Sequence, residues 1–165
     1  MTALVARPAR QRFAGQREET VALVHFRLMV VMLMFVGVTG SGHAVVVDGP
    51  PEAGGRNLGP RPMELLLTGL GSCTAFDVVD ILKKGRQPIA GCEVELQAER
   101  ADEVPKVFTR IHIHFKVSGA GLKAVAVERA VNLSAEKYCS ATIMLRQTVA
   151  ITHDFEIVDL SLPAG

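Results

Sequence analysis

The stretch from Met63 to Lys84 constrains this chain most, because it contains no proline and is apolar on nearly all sides when wound as a helix. Pro62 suits the first position of such a helix, and the run Lys83-Lys84-Gly85 supplies a cationic end with a glycine stop. A helix with so little polar surface must be covered by other parts of a protein. We therefore predict a buried central helix here.

Segments typical of β-strands lie on both sides of the predicted helix. Residues 20–48 are rich in Val, Leu, Met and Phe between turn residues, which predicts two or three antiparallel strands. Residues 49–61 concentrate Gly and Pro and form a loop. Beyond the helix, residues 92–100 and 108–117 alternate apolar and polar side chains, as strands with one wet face do, and we expect them to pair as a hairpin.

The end of the chain returns to helix and then to strand. A helical stretch begins near Leu122, restarts near Ser134 and continues to Leu145, and residues 148–158 form a last strand. The order of strands, helix, strand pair, helices and strand predicts an α+β fold rather than alternating βαβ units.

Composition excludes several functional classes. The chain has 165 residues with 48% hydrophobic side chains, enough for one folded core, so we predict a single domain over residues 19–165. A net charge of +1 and 5% aromatic residues argue against nucleic-acid binding. Three cysteines are too few, and odd in number, for a disulfide scaffold.

Residues 1–18 are interpreted as a basic, flexible tail. Basic residues followed by an apolar run imitate a secretory signal, but this basic region is long and holds Glu18 and Glu19. His25 and Arg27 interrupt the only candidate for a membrane span in this region, which needs about 20 apolar residues. We expect a cytoplasmic protein that contacts no membrane and whose cysteines rest reduced.

Two cysteines, Cys73 and Cys139, each lie among small residues that would let a substrate or another segment approach the sulfur. One interpretation is a reversible dithiol, in which a helical N-terminal position and Lys137 lower the pKa of Cys139. The other is that both are buried packing residues, as free cysteines often are. Cys92 opens a strand and is interpreted as a packing residue.

The run from Pro62 to Val79, centred on Gly71-Ser72-Cys73-Thr74, followed later by Ala135-Glu-Lys-Tyr-Cys139-Ser, resembles the OsmC/Ohr superfamily of osmotically inducible and organic hydroperoxide resistance proteins. The resemblance spans residues 21–158. It implies an OsmC-like α+β fold in which antiparallel sheets wrap around central helices, in an intertwined homodimer with thiol sites at the interface.

The same resemblance implies a thiol-dependent peroxidase that reduces organic hydroperoxides and protects against oxidative stress. Cys73 would be the peroxidatic thiol and Cys139 the resolving thiol. The resemblance implies no bound cofactor and no metal, with an external dithiol such as dihydrolipoamide as the reductant.

The residues that activate the thiolate in this superfamily are not all recognisable. The family's Glu lies ten residues before the first cysteine, whereas this chain has Met63 there and Glu64 nine residues before, about 180° around a regular helix. We retain Glu64 as a catalytic candidate, together with the interpretation of an N-terminal helix acid. The family's early-strand Arg is absent from residues 43–48, and Arg61, Arg100 and Arg110 are possible substitutes.

Two further groups of residues are candidate sites. His112 and His114 share one strand face and could begin a zinc site, but no compact ligand quartet accompanies them, so we expect exposed or half-buried strand histidines. Asp77 shares a helix face with Cys73, and we interpret it as solvated or paired with a cation. Two functions remain open: the peroxidase, or a non-catalytic dimer that binds an apolar small molecule or a partner.

Overall fold

The computed structural model describes residues 25–28 and 33–161. The chain forms two compact units, Met1–Arg61 and Pro62–Gly165, and each is described by itself. The elements form a mixed α+β architecture, as the sequence predicts. The predicted basic tail, residues 1–18, lies outside the described residues, and a single domain over residues 19–165 stays a prediction.

The first unit contains a three-stranded antiparallel sheet. Its strands, in spatial as well as chain order, are β1 (His25–Leu28), β2 (Phe35–Val38) and β3 (Ala44–Val47). β2 and β3 are joined by a tight turn in which the backbone N–H of Thr39 donates to the carbonyl of His43. The sequence prediction of two or three antiparallel strands is confirmed.

A buried carboxylate organises the loop that follows this sheet. Asp48 is 1% exposed, and its carboxylate accepts backbone N–H groups of Gly49, Arg56 and Leu58 at 2.8–3.0 Å. The N–H of Leu58 is the main reason why the pKa of Asp48 is lowered. A Gly- and Pro-rich segment that cannot form regular structure thus acquires a fixed path, with one short 3-10 turn at Pro51–Ala53.

The second unit begins with the predicted central helix, α1 (Pro62–Lys84). Among the described residues, α1 is the one helix with the length and apolar composition of a membrane span, but it packs on a sheet and on other helices instead. Leu70, Val78 and Leu82 are its fully buried apolar side chains. Only 28% of its most apolar stretch is buried within one chain.

The end of α1 differs from the prediction by one residue. The left-handed residue that stops the helix is Arg86, with φ 54°, and not Gly85. The N–H of Arg86 donates to the carbonyl of Lys83, and the N–H of Gln87 donates to the carbonyl of Leu82. This is a Schellman ending, which needs its left-handed residue at the second position after the last helical residue, and that position holds an arginine.

The sheet of the second unit is mixed. β4 (Ile89–Arg100) and β5 (Phe108–Gly119) form the predicted antiparallel hairpin. β6 (Ala150–Asp159) pairs with β5 in parallel, which corrects the expectation of antiparallel pairing throughout. The connection between β5 and β6 contains helices and carries the chain back to the end of the sheet where β5 began, so the two strands run in the same direction.

That connection contains three helical segments. They are α2 (Ala124–Leu133), a wide π turn (Ser134–Tyr138) and α3 (Ser140–Leu145). The core of the unit lies where these helices and α1 pack on the sheet. It is built from Phe115, Ile111, Ile113 and Val117 of β5 with Leu70, Val78, Leu82, Val127 and Val131 of the helices.

Candidate dithiol site

The structure brings Cys73, Cys139 and Asp77 together in the second unit. The two sulfur atoms and one carboxylate oxygen of Asp77 all lie within 4.8 Å of one another. Cys139 is fully buried, while Cys73 and Asp77 are half-buried. Residues 66 positions apart in the sequence therefore form one compact cluster of two thiols and a carboxyl group.

Helix geometry brings Cys73 and Asp77 together, and the π turn positions Cys139. Cys73 and Asp77 are four residues apart in α1 and share a face, as the sequence predicts. Cys139 follows the π turn, in which its N–H donates to the carbonyl of Ser134 at 2.9 Å. Its sulfur accepts the N–H of Thr142 at 3.4 Å, at the first turn of α3.

A buried hydroxyl pair holds the carboxyl group in place. The Ser134 hydroxyl lies 3.2 Å from Oδ2 of Asp77 and 2.8 Å from the Thr74 hydroxyl. Ser134 is 0% exposed and Thr74 is 1% exposed. The sequence alone did not reveal Ser134 as a site residue, since a buried serine leaves no periodic signal in the chain.

The electrostatics of Cys139 differ from the prediction. Burial raises the pKa of the Cys139 thiol, and the neighbouring Cys73 adds to this effect. The contacts with Thr142 act in the opposite direction and are outweighed. The expectation that a helix N-terminus lowers the pKa of Cys139 is wrong. α3 has only six residues, and the Cys139 sulfur at its start is buried away from water, which raises the pKa.

Asp77 is half-buried, so the expectation that it is solvated holds in part. Its carboxyl contacts the Ser134 hydroxyl, and no cation is paired with it among the described residues. Burial raises the pKa of Asp77, and the negative charge of Asp80 raises it further. The carboxyl group therefore lies beside two sulfur atoms and keeps some contact with solvent.

The activating residues of the superfamily are not found in their expected relation to Cys73. α1 is helical from Pro62 onwards, so Glu64 lies about 180° around the helix from Cys73, and it is exposed. Arg110 lies 3.6 Å from Glu99 at an exposed position, and Arg100 donates to the Lys106 carbonyl. A catalytic role for Glu64 stays a prediction.

The histidines and the third cysteine lie away from the dithiol cluster. His112 and His114 are half-buried on the face of β5, where they contact Thr152 and Asp154 of β6 at 2.9 and 2.5 Å. Cys92 is half-buried in β4, and burial raises its pKa. Among the described residues, neither histidine joins the cysteines in a group of metal-ligating side chains.

An open apolar groove lies between α1 and β4. Its volume is about 450 Å³, and Leu67, Gly71, Ala75, Val94 and Leu96 supply its apolar lining. Gly71 allows this close approach of helix and strand, because a Cβ atom there would lie 2.7 Å from a terminal carbon of Leu96. Cys73 does not line the groove.

The sequence of residues 54–154 matches the family model of OsmC-like proteins. This range contains Cys73, Asp77, Ser134 and Cys139, all the members of the cluster. The chain belongs to the OsmC-like family. The OsmC/Ohr resemblance predicted from the cysteine motifs is confirmed.

The proteins similar to this chain differ widely in sequence identity. Protein YhfA of Escherichia coli K12 is 51% identical over 126 residues, which is 76% of this chain and 91% of YhfA. A hypothetical protein from Aquifex aeolicus VF5 is 30% identical with a TM-score of 0.75, over 86% of this chain and 99% of that one. The organic hydroperoxide resistance protein OhrB of Bacillus subtilis shares the fold at 20% identity, with a TM-score of 0.57 over 83% and 98%.

Proposed function

We propose that this protein is a stress-related thiol peroxidase that reduces organic hydroperoxides in the cytoplasm with the Cys73–Cys139 pair. The observation that carries the proposal is the proximity of the two sulfurs, within 4.8 Å, in a chain of the OsmC-like family. A disulfide needs the two sulfurs to close to about 2 Å, so oxidation would have to move them nearer by up to about 3 Å through side-chain rotation and any backbone adjustment.

The accessibility of the two thiols favours Cys73 as the peroxidatic residue. Cys73 is half-buried and can be reached by a substrate, whereas Cys139 is buried. The Cys73 thiol attacks the O–O bond of the hydroperoxide, becomes a sulfenic acid and releases an alcohol that takes up the thiol proton. The Cys139 thiol then attacks the sulfenic sulfur, and a disulfide and water are formed.

A dithiol of the dihydrolipoamide class completes the cycle. It exchanges with the disulfide, becomes a cyclic disulfide itself and returns both cysteines to thiols. The groove between α1 and β4 is lined by Gly71 and Ala75, which lie about 160° around α1 from Cys73, so we do not include it in the peroxidase site. Neither a bound cofactor nor a metal is required for these steps.

A homodimer is part of this proposal. Leu66, Gly69, Cys73 and Phe76 lie within about 80° of one another around α1, so they form one stripe along the helix. Leu66 is 49% exposed and Phe76 is 73% exposed in a single chain. A second copy that covers this apolar stripe would bring its own surface next to Cys73.

The decisive experiment follows both turnover and the thiol product. The fully reduced protein is given cumene hydroperoxide with dihydrolipoamide, and consumption of peroxide is compared among wild type, Cys73→Ser and the matched control Cys92→Ser. We expect turnover by wild type and Cys92→Ser only, with a Cys73–Cys139 disulfide identified by mass spectrometry. If Cys73 stays reduced under excess peroxide and no such disulfide appears, the peroxidase proposal is wrong.

The second candidate is a non-catalytic dimer that binds an apolar small molecule or a partner. It is favoured by the position of the groove, which is lined by small and aliphatic side chains but not by Cys73. In that case the cysteines pack the helices, and a Gly71→Val variant that fills the groove should abolish binding of an apolar fluorescent probe without changing thiol reactivity. The peroxidase predicts instead that peroxide oxidises Cys73 in the Gly71→Val variant as well, and that this oxidation ends in a disulfide only when Cys139 is present.

A further inference from the structure

The cluster of Cys73, Cys139 and Asp77 has the chemistry of a metal site as well as that of a redox pair. It offers two sulfur ligands and one carboxylate oxygen, mutually within 4.8 Å. Thiolates favour zinc among the common divalent ions, and a carboxylate is an accepted third ligand. The sequence contains no compact ligand motif for it, because two ligands come from α1 and the third comes from beyond the π turn.

We propose that the reduced protein binds Zn²⁺ through the sulfurs of Cys73 and Cys139 and a carboxylate oxygen of Asp77. Tetrahedral zinc with Zn–S bonds of about 2.3 Å places two sulfurs about 3.8 Å apart. A sulfur and a carboxylate oxygen on the same ion lie about 3.5 Å apart, so separations of up to 4.8 Å need to contract by about 1 Å between the sulfurs and by about 1.3 Å between a sulfur and the oxygen, which side-chain rotation supplies.

Hydrogen bonds orient two of the three proposed ligands, Asp77 and Cys139. The Ser134 hydroxyl donates to Oδ2 of Asp77, which leaves the other carboxylate oxygen for a ligand bond. The N–H of Thr142 donates to the Cys139 sulfur. Hydrogen bonds of this kind orient the ligands of metal sites and are part of their affinity.

A further polar atom lies next to the same sulfur. The hydroxyl oxygen of Thr142 is buried and, within the part of the chain that the structure describes, it is the one buried side-chain oxygen without a hydrogen-bond partner. Its side chain contacts Cys139, where a thiolate bound to a metal would accept a hydrogen bond from the hydroxyl.

Zinc binding would change the charge of the cluster. Two thiolates and a carboxylate together carry three negative charges, of which Zn²⁺ offsets two. Both sulfurs must lose their protons to act as ligands, so binding releases these protons. Three protein ligands with Cys73 and Asp77 half-buried leave a fourth position for water, as in zinc sites from which the ion can exchange.

This inference goes beyond the proposed peroxidase and does not depend on it. Zinc binding uses the lone pairs of both sulfurs, so it blocks attack on a peroxide, and a disulfide in turn removes two of the three ligands. The two proposals therefore make separate predictions: a protein can form the zinc site without reducing peroxides, or reduce peroxides without binding zinc.

The test uses Co²⁺ as a spectroscopic substitute for Zn²⁺ on the reduced full-length protein without oxygen. We expect the intense visible bands of tetrahedral cobalt with a sulfur-to-cobalt charge-transfer band, in a ratio of one Co²⁺ per chain, and their loss when Zn²⁺ is added. Cys73→Ser should remove the charge-transfer intensity of one sulfur, and Asp77→Asn should weaken Co²⁺ binding at least tenfold. Cys92→Ser and the double variant His112→Ala/His114→Ala are the controls and should bind as wild type does.

A second measurement keeps the proposal testable if a variant folds poorly. In the Cys92→Ser background, one equivalent of Zn²⁺ should protect Cys73 from alkylation by iodoacetamide, and a chelator should restore the reaction. Weak, six-coordinate cobalt spectra, spectra unchanged by Cys73→Ser, or alkylation unaffected by Zn²⁺ would each overturn the zinc proposal. The peroxidase assay, run with a chelator present, would be unaffected by that result.

Discussion

The substitution Ser134→Ala tests the hydroxyl network that holds Asp77 beside the sulfurs. The Ser134 hydroxyl has one proton, which it can give to Oδ2 of Asp77 at 3.2 Å or share with the Thr74 carbonyl at 3.3 Å. The hydroxyl of Thr74, 2.8 Å away, supplies the other bond. Alanine therefore removes about two hydrogen bonds from a site that is 0% exposed.

The expected cost follows from those two bonds. A neutral hydrogen bond contributes about 0.5–1.5 kcal/mol and a bond to a carboxylate about 1.5–3 kcal/mol, and the partners left behind remain buried. We expect the free energy of unfolding to fall by about 2–4.5 kcal/mol. For a chain of this length each kcal/mol lowers Tm by about 2–4 °C, so Tm should fall by about 4–18 °C.

Urea and thermal denaturation at one fixed protein concentration measure this loss, because a dimer would make Tm depend on concentration. The matched control is Ser72→Ala, which removes an exposed hydroxyl that bonds the Gly69 carbonyl on the same helix as Asp77. That change should stay within about 0.5 kcal/mol. If Ser134→Ala lowers the free energy of unfolding no more than Ser72→Ala does, the hydroxyl network does not stabilise the site. The same conclusion follows if the losses caused by Ser134→Ala and Thr74→Val simply add in the double variant.

Three further predictions concern other parts of the second unit. Arg86→Gly should raise the free energy of unfolding by about 1 kcal/mol, measured by urea denaturation, because Arg86 has φ 54°. Gly119→Ala should lower it by at least about 1–3 kcal/mol, since a Cβ there would lie 2.2 Å from the Pro88 carbonyl oxygen; a neutral result would contradict the packing. The hydrogen bond between His114 and Asp154 raises the pKa of His114 and lowers that of Asp154. Because the pKa of His114 is raised, its contribution to stability is complete below about pH 6.5 and disappears as the pH rises through the pKa of the folded protein. Because the pKa of Asp154 is lowered, its contribution is complete above about pH 3.9 and disappears as the pH falls through the pKa of the folded protein. Asp154→Asn should therefore destabilise the protein more at about pH 5.5 than at about pH 9, and equal losses would contradict this.

Local signals in the sequence were enough to predict several elements. The bounds of α1 follow from Pro62 and from the lysines and glycine at its end, because these residues act within one helical turn. The β4–β5 hairpin follows from alternation with period two and from a short turn. Cys73 and Asp77 share a helix face for the same local reason, since four residues make about one turn.

The parts that sequence reasoning missed depend on tertiary structure. The parallel pairing of β6 is set by the path of the helical connection before it, which no pattern within residues 150–159 encodes. The raised pKa of Cys139 depends on how deeply the sulfur is buried, and Lys137 beside it in the sequence had suggested the opposite. Ser134 joined the site because it packs on α1, and a single buried serine has no signature in the chain.

The π turn at Ser134–Tyr138 fixes the position of Cys139 relative to Ser134 through one backbone hydrogen bond. An α-helical turn closes over four residues and a π turn over five, so this turn holds one residue more than a regular helix would. If the same residues were wound as a regular α-helix, Cys139 would lie about 100° further around the axis relative to Ser134. The sulfur would then leave Asp77 and Cys73 although every side chain of the cluster was unchanged. The π turn between Ser134 and Cys139 is thus as much a determinant of the site as the identity of its residues.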